Sequence, residues 1–226
     1  MSDPASSGTC ERCGNSFRKS GITRHLQSCL KRNPWPEAQG TRPGGPRRTG
    51  IHVSVTDSDR PEYWLHLAVP SNAQLDDLDE YLRRIWLECC GHLSAFQISR
   101  DEYHSHAQFG AKGMGVALSR VAPAGTSFSH VYDFGTSTFL TLRSIGETEV
   151  ASDGIVLLAR NDAPEILCVA CSSPATQVGP TPDDWNMTTG YCDDCALQTG
   201  EDAEELLPVV NSPRSGVCGY DGPWEN

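Results

Sequence analysis

The side chains best suited to chemistry in this chain are two sets of cysteine and histidine at metal-ligand spacings. The first set, near the N-terminus, consists of Cys10, Cys13, His25 and Cys29. Tetrahedral zinc needs four ligands that converge from two elements, typically a tight Cys-x2-Cys turn and a helix. Residues 25 and 29 share a helical face because they are four positions apart, and Phe17 and Ile22 supply a small apolar core. This pattern predicts a zinc finger.

The second set consists of Cys168, Cys171, Cys192 and Cys195, two Cys-x2-Cys pairs in the C-terminal third of the chain. Paired knuckles of this kind are typical of a four-cysteine zinc ribbon. Since all four ligands are thiolates and no position is left open, this site is predicted to be structural. Redox cycling is the rival interpretation, but the presence of two pairs favours metal. The sequence therefore predicts two zinc ions per chain.

No other group of residues has the spacing of a catalytic motif, and the sequence assigns no catalytic residue. His92 and Asp133 could serve a metal-dependent hydrolase or nuclease, but His92 directly follows a predicted helix and is expected to cap its carbonyl groups. Cys89 and Cys90 are expected to pack in the core. Cys218 has no evident role in the sequence.

Charge is distributed unevenly along the chain. Residues 1–50 contain nine Arg and Lys against three Asp and Glu, whereas residues 51–226 contain nine against twenty-six. Only the N-terminal segment therefore attracts nucleic acid, and the acidic remainder would repel phosphates while offering a surface to another protein. The predicted nucleic-acid contacts are Arg12, Arg18, Lys19, Arg24, Arg42, Arg47 and Arg48.

The composition indicates a cytoplasmic protein without a membrane partner. The sequence contains no run of about 18 apolar residues, the length expected of a membrane-spanning helix. Its first residues lack the apolar stretch of a secretory signal. In a reducing compartment, closely spaced cysteines are metal ligands more often than disulfide partners.

The chain divides into four predicted segments: a finger at 1–32, a basic Pro/Gly-rich linker at 33–50, a globular body at 51–160, and a ribbon with a docked tail at 161–226. The linker contains too few apolar residues to fold and is expected to transmit little energy between the finger and the body.

An α+β fold is predicted for the body, with one long amphipathic helix beside a mixed or antiparallel sheet. Residues 51–55 and 63–69 alternate as half-buried strands do. A helix is predicted from residues 71–74 to about Gly91, because apolar residues recur there at three- and four-residue steps. Shorter strands are predicted near residues 96–98, 127–132, 138–143 and 155–159.

Several motifs in residues 51–226 resemble the plasmid pRiA ORF-three-like family, which occurs on plasmids and mobile elements. They are LDDLDEYLRRIWLECCGHLSAFQI, VYDFGTSTFLTL, the two knuckles and LLPVVNSPRSGVCGYDG. The resemblance implies an α+β body with a ribbon appendage but no settled activity. The residues that match its shared motifs are His92, Phe96, Tyr132, Asp133, Phe134, Gly135, Asn211, Ser212, Pro213, Arg214, Gly216, Cys218, Gly219 and Tyr220.

The sequence is compatible with three functions. The favoured one is a zinc-binding, non-enzymatic protein that is either associated with nucleic acid through residues 1–50, with DNA as the expected target, or regulatory. The alternative is a protein–protein adaptor whose zinc sites are purely structural. The second alternative is a metal-dependent hydrolase or nuclease that uses His92 and Asp133.

Overall fold

The computed structural model of this chain describes residues 6–32, 48–107, 110–150, 153–181, 184–198 and 206–223. For residues 48, 180, 181 and 184–187 it describes the backbone alone. Within these ranges the protein is α+β, with one large mixed sheet, a small second sheet and a few short helices.

Thirteen strands occur in the described residues. They are β1 (Ser7–Cys10), β2 (Ser16–Arg18), β3 (Arg48–Asp57), β4 (Trp64–Pro70), β5 (Ser94–Ile98), β6 (Asp101–His104), β7 (Lys112–Gly113), β8 (Ser127–Tyr132), β9 (Thr138–Val150), β10 (Val156–Asn161), β11 (Gln177–Thr181), β12 (Asp184–Tyr191) and β13 (Leu207–Pro208). The helices are α1 (Lys19–Arg32), α2 (Leu75–Leu82), α3 (Leu118–Val121) and α4 (Asp193–Ala196).

Ten strands form the large sheet in the order β2-β1-β10-β4-β3-β9-β8-β5-β6-β7. All neighbouring strands in it are antiparallel except β6 and β7, which are parallel. The small sheet has the order β12-β11-β13. The large sheet carries the finger at one edge, and the small sheet combines β11 and β12 of the ribbon with β13 of the tail.

Strand β4 is buried along its whole length, although its alternating sequence predicted a half-buried strand. Its odd-numbered side chains, such as Leu65 and Leu67, lie in the main core with α2. Its even-numbered Trp64 and Ala68 lie in a second cluster with Ile22 of α1. Because successive side chains of a strand point to opposite faces, α1 covers the face that the sequence pattern assigned to solvent.

The predicted long helix is wrong in its length. Helix α2 begins at Leu75, after a turn in which Gln74 donates its backbone N–H to Asp77. A π-helical turn, Arg83–Leu87, continues α2, and Glu88 then adopts an extended backbone with ψ of 116°. The Glu88 carboxylate accepts hydrogen bonds from Arg83 at 2.8 Å and from the Tyr132 hydroxyl at 3.0 Å, so a tertiary contact with Tyr132 holds the chain where the helix ends, before Gly91. The longest described helix is α1, with 14 residues.

The finger is joined to the body through the large sheet. Strand β1 pairs with β10 over three residues, from Gly8 opposite Asn161 to Cys10 opposite Ala159. A Cβ on Gly8 would stand 2.5 Å from the Trp64 ring, so only glycine fits this contact. The finger therefore docks on the body independently of residues 33–47, which lie outside the described residues. The segment boundaries at 32, 50 and 160 stay predictions.

In the ranges that the structure describes, no helix is both long enough and apolar enough to cross a lipid bilayer.

Candidate metal centres

The finger (residues 6–32) brings its four predicted ligands together. Cys10 ends β1, and its carbonyl oxygen accepts the backbone N–H groups of Cys13 and Gly14, which closes a tight turn. Gly14 has φ of +70°, a left-handed conformation that glycine adopts without strain. The opposite wall is α1, which contributes His25 and Cys29. The four ligand atoms lie within 4.8 Å of one another.

This spacing fits tetrahedral zinc. Zinc bonds of about 2.3 Å to sulfur and about 2.0–2.1 Å to nitrogen give tetrahedron edges of about 3.8 Å between sulfurs and about 3.6 Å between sulfur and nitrogen. Cys13 Sγ lies 3.4 Å from His25 Nε2. The Phe17 ring stacks on the His25 ring with centroids 3.7 Å apart, which fixes the orientation of the imidazole.

The protonation of the finger ligands also favours a metal. Burial raises the pKa of the Cys10 thiol to about 11, so this sulfur needs a cation beside it to ionise near neutral pH. The backbone N–H of Asn15 lowers the pKa of Cys13, and burial lowers the pKa of His25 and keeps its ring neutral. A neutral imidazole and thiolates are the forms that bind zinc.

The ribbon (residues 166–198) brings together Cys168, Cys171, Cys192 and Cys195 within the same 4.8 Å limit. Cys171 Sγ and Cys192 Sγ are 3.6 Å apart. Each pair sits on a tight turn: Ser172 N–H bonds the Cys168 carbonyl, and Cys195 N–H bonds the Cys192 carbonyl. The backbone N–H of Cys192 is the largest influence that lowers the pKa of Cys168, to about 6, so a thiolate is present there at neutral pH.

A third cluster, which the sequence analysis missed, consists of Cys89, Cys90, His92 and Cys218. Its four ligand atoms also lie within 4.8 Å of one another. The prediction that Cys89 and Cys90 pack in the core is wrong for Cys90, which is exposed. The His92 side chain does not lie on helix carbonyls either, since its Nε2 is 3.0 Å from Cys90 Sγ and 3.3 Å from Cys218 Sγ.

The docking of the tail onto the body creates this third cluster. Arg214 is fully buried, and its guanidinium bonds Asp133 at 2.7 Å and the Thr136 carbonyl at 2.9 Å. Ser212 donates its hydroxyl to the Trp86 carbonyl at 2.7 Å. These contacts place Cys218 beside the Cys89–His92 turn. No local spacing rule joins residues 126 positions apart, and the only sequence signal was a Cys-Cys-x-His stretch together with a cysteine that lacked a role.

His92 and Asp133 are neighbours in the structure, with His92 Nε2 3.4 Å from Asp133 Oδ2. Burial by itself would raise the pKa of Asp133, but the hydrogen bond from Arg214 and the backbone N–H groups of Gly135 and Thr136 lower it overall. Asp133 is therefore a firmly ionised anchor for Arg214.

The predicted nucleic-acid contacts differ in exposure. Arg18 and Arg24 are exposed, whereas Arg12 and Lys19 are half-buried, and Lys19 Nζ donates to the Pro61 carbonyl at 2.8 Å. Arg42 and Arg47 lie outside the described residues, and Arg48 is described by its backbone alone. The finger also exposes Lys31 and Arg32 at the end of α1.

No protein-family model matches this chain, and no curated protein matches it either. Among solved structures, the crystal structure of a protein of unknown function, MM3350 from Methanosarcina mazei Go1, is similar to part of the chain. The two sequences are 16% identical, and the similarity covers 50% of this chain and 68% of that chain with a TM-score of 0.37. A similarity of this size assigns neither a family nor an activity.

Proposed function

We propose that this protein is a non-enzymatic zinc protein that associates with nucleic acid through the exposed surface of its finger. The observation that carries the proposal is the orientation of α1. This helix buries Ile22, Leu26 and Cys29 against the body, and it leaves Arg24 and Lys31 exposed. The zinc site holds the helix in this orientation, so metal binding and phosphate contact are coupled.

The charges of the finger support this proposal. Residues 6–32 contain six Arg and Lys and a single acidic residue, Glu11. Phosphate contacts by such side chains give affinity that depends on salt and little on sequence. The body beyond residue 50 is strongly acidic, so it repels phosphates and offers its surface to a protein partner instead.

Salt-dependent binding of the full-length, zinc-loaded protein tests the proposal. The variant Arg18→Ala/Arg24→Ala/Lys31→Ala removes three exposed charges from the finger. We expect it to weaken binding to duplexes of unrelated sequence by similar factors. It should also reduce the slope of log K against log salt by about 3. Fluorescence anisotropy at several salt concentrations measures both quantities.

The matched control is Arg100→Ala/Arg120→Ala/Arg143→Ala, which removes three exposed charges from the body. It should leave the salt slope within about 1 of the unaltered protein, since these residues make no phosphate contacts in this proposal. Equal slopes for the two triple variants, or no binding of the unaltered protein at low salt, would favour the protein–protein adaptor instead.

A metal-dependent hydrolase or nuclease is the second candidate, and the proximity of His92, Asp133 and the tail residue Arg214 favours it. Both carboxylate oxygens of Asp133 are already engaged, however, by Gly135 N–H and by Arg214. A carboxylate held in this way positions its neighbours better than it accepts a substrate proton. Metal-dependent cleavage of nucleic acid that is lost in Asp133→Asn, with zinc content unchanged, would establish the enzyme.

Membership of the plasmid pRiA ORF-three-like family is part of the same proposal. Its support is that His92, Asp133, Arg214 and Cys218, which come from three separate motifs of the resemblance, meet at one place. We also place the protein in the cytoplasm, because a reducing compartment keeps thiolates available for zinc.

A further inference from the structure

We propose that Cys89, Cys90, His92 and Cys218 bind a third zinc ion, which fastens the tail to the body. The proposal does not depend on the nucleic-acid function. Three thiolates and one imidazole are a common zinc ligand set and match the donor set of the finger. The four donors come from two elements, the turn after the π-helical segment and the tail, which lie 126 residues or more apart.

The sulfur–sulfur distances within the cluster match the edges of a zinc tetrahedron, and the sulfur–nitrogen distances are somewhat shorter than its edges. Cys89 Sγ lies 3.7 Å from Cys90 Sγ, and Cys90 Sγ lies 3.9 Å from Cys218 Sγ. His92 Nε2 is 3.0 Å and 3.3 Å from the sulfurs of Cys90 and Cys218. The expected edges are about 3.8 Å between sulfurs and about 3.6 Å between sulfur and nitrogen, and the finger and the ribbon show similar values, 3.4 Å and 3.6 Å.

The backbone around the cluster is arranged to present these donors. Arg83 donates to the His92 carbonyl at 2.7 Å and thereby fixes the turn. Cys218 itself has φ of +51°, a left-handed conformation that non-glycine residues adopt only at a cost in free energy. A bond from its sulfur to a metal offsets that cost.

Neighbouring charged groups suit a bound zinc. Three thiolates and one Zn²⁺ leave a net charge of −1, and Arg214 Nη2 donates to Cys89 Sγ at 3.5 Å. Hydrogen bonds of this type to ligand atoms orient them and balance their charge. Asp133 approaches His92, but its Oδ2 bonds Arg214 at 2.7 Å, so it acts as a neighbour of the site rather than as a fifth ligand.

The third site also accounts for every cysteine of the chain. The sequence contains ten cysteines, and each of them belongs to one of the three four-ligand sets. A disulfide between Cys90 and Cys218 would explain two of the three cysteines here, but it would leave His92 facing both sulfurs without a purpose.

Zinc content per chain tests the proposal in full-length protein purified under reducing conditions without chelator. We expect three zinc ions in the unaltered protein and two in Cys218→Ser. The matched control Asp221→Asn, an exposed tail residue, should keep three. His92→Cys should also keep three, because it supplies four thiolates, whereas His92→Ala should keep two. If Cys218→Ser fails to fold, Cys90→Ser at an exposed position takes its place.

Trypsin cleavage of the tail adds a structural measurement. The Arg214–Ser215 bond is buried in the docked tail, so it should resist trypsin in the unaltered protein and be cleaved at least 10-fold faster in Cys218→Ser. A content of two zinc ions in the unaltered protein would overturn the proposal. Alkylation after denaturation would then show whether Cys218 forms a disulfide or all ten thiols are free, and the proposal fails in both cases. Retention of three zinc ions in Cys218→Ser would overturn it equally.

Discussion

The finger and the ribbon present similar sets of candidate metal ligands but differ in the apolar packing that supports them. Cys10 and Cys29 of the finger lie in a cluster with Ile22, Leu26 and Trp64, which joins α1 to the body sheet. Among the described ribbon residues, the buried apolar ones are Cys168, Val178 and Ala196. A small module with few buried apolar groups depends on metal or disulfides for its stability. The finger should therefore share its stability with the body, and the ribbon should depend on its zinc alone.

Removal of zinc should produce the largest difference between the two modules. Zinc contributes an apparent 10–16 kcal/mol to the folding of small zinc modules near neutral pH. After treatment with a strong chelator, we expect the ribbon amides to lose all protection from hydrogen exchange. Amides of β3 and β9 in the body should stay protected. Hydrogen exchange with mass spectrometry measures this, and equal loss in the ribbon and the body would contradict the comparison.

Loss of one ligand should affect the body only when the ligand belongs to the finger. Cys29 is buried in the cluster that includes Trp64 and Leu158, so Cys29→Ala should lower the melting temperature of the body by at least about 5 °C, which corresponds to roughly 2 kcal/mol. The matched variant Cys195→Ala in the ribbon should shift it by less than about 2 °C. Calorimetry of the two variants checks the difference, and a body transition unchanged in Cys29→Ala would show that the finger is energetically separate.

A leucine in each module tests the apolar support without altering any ligand. Leu26 of α1 is fully buried against the body, whereas Leu197 in the ribbon is 82% exposed. Leu26→Ala should reduce the free energy of unfolding by about 2–5 kcal/mol, and Leu197→Ala should change it by less than about 0.5 kcal/mol. Urea denaturation followed by Trp fluorescence measures both, and similar values for the two variants would refute the distinction.

Acidification should lower the free energy of unfolding through two buried histidines on the body side of the finger interface. The expected effect is smaller than those of Cys29→Ala and Leu26→Ala. His52 Nε2 and His66 Nδ1 are 2.8 Å apart in the interior, and burial lowers the pKa of His52 to about 4 and that of His66 to about 3. Unfolded histidines have a pKa near 6.5. The stability contributed by the neutral pair is therefore complete above about pH 6.5 and is lost as the pH falls towards 4.

Between pH 7 and pH 6 the pair should account for a loss on the order of 1 kcal/mol. The double variant His52→Leu/His66→Leu removes this contribution, so its unfolding free energy should fall less over the same interval. Burial raises the pKa of Asp57 to about 6, which acts in the opposite direction, but both proteins contain Asp57 and its effect cancels in the difference. Identical pH profiles of the two proteins would show that the histidine pair does not contribute to the loss of stability in acid.

Local spacing in the sequence determined the α+β class, most strands of the body and two ligand sets. Strand β8 coincides with its predicted range, Ser127–Tyr132, because alternation along one strand reports which side chains are buried. The finger and ribbon ligands could be predicted from the sequence because each pair lies on one turn or one helical face. Such patterns need no knowledge of distant residues.

Tertiary structure alone decided the rest. The end of α2 depends on the bond from Tyr132 to Glu88, the second buried face of β4 depends on α1, and the third cluster depends on a tail anchored by Arg214 and Asp133. In each case the partners are far apart in the sequence, and a periodic pattern contains no information about which remote segment will cover a surface. Cys218 therefore had no assignable role in the sequence and acquires one only where the folded chain places it beside His92.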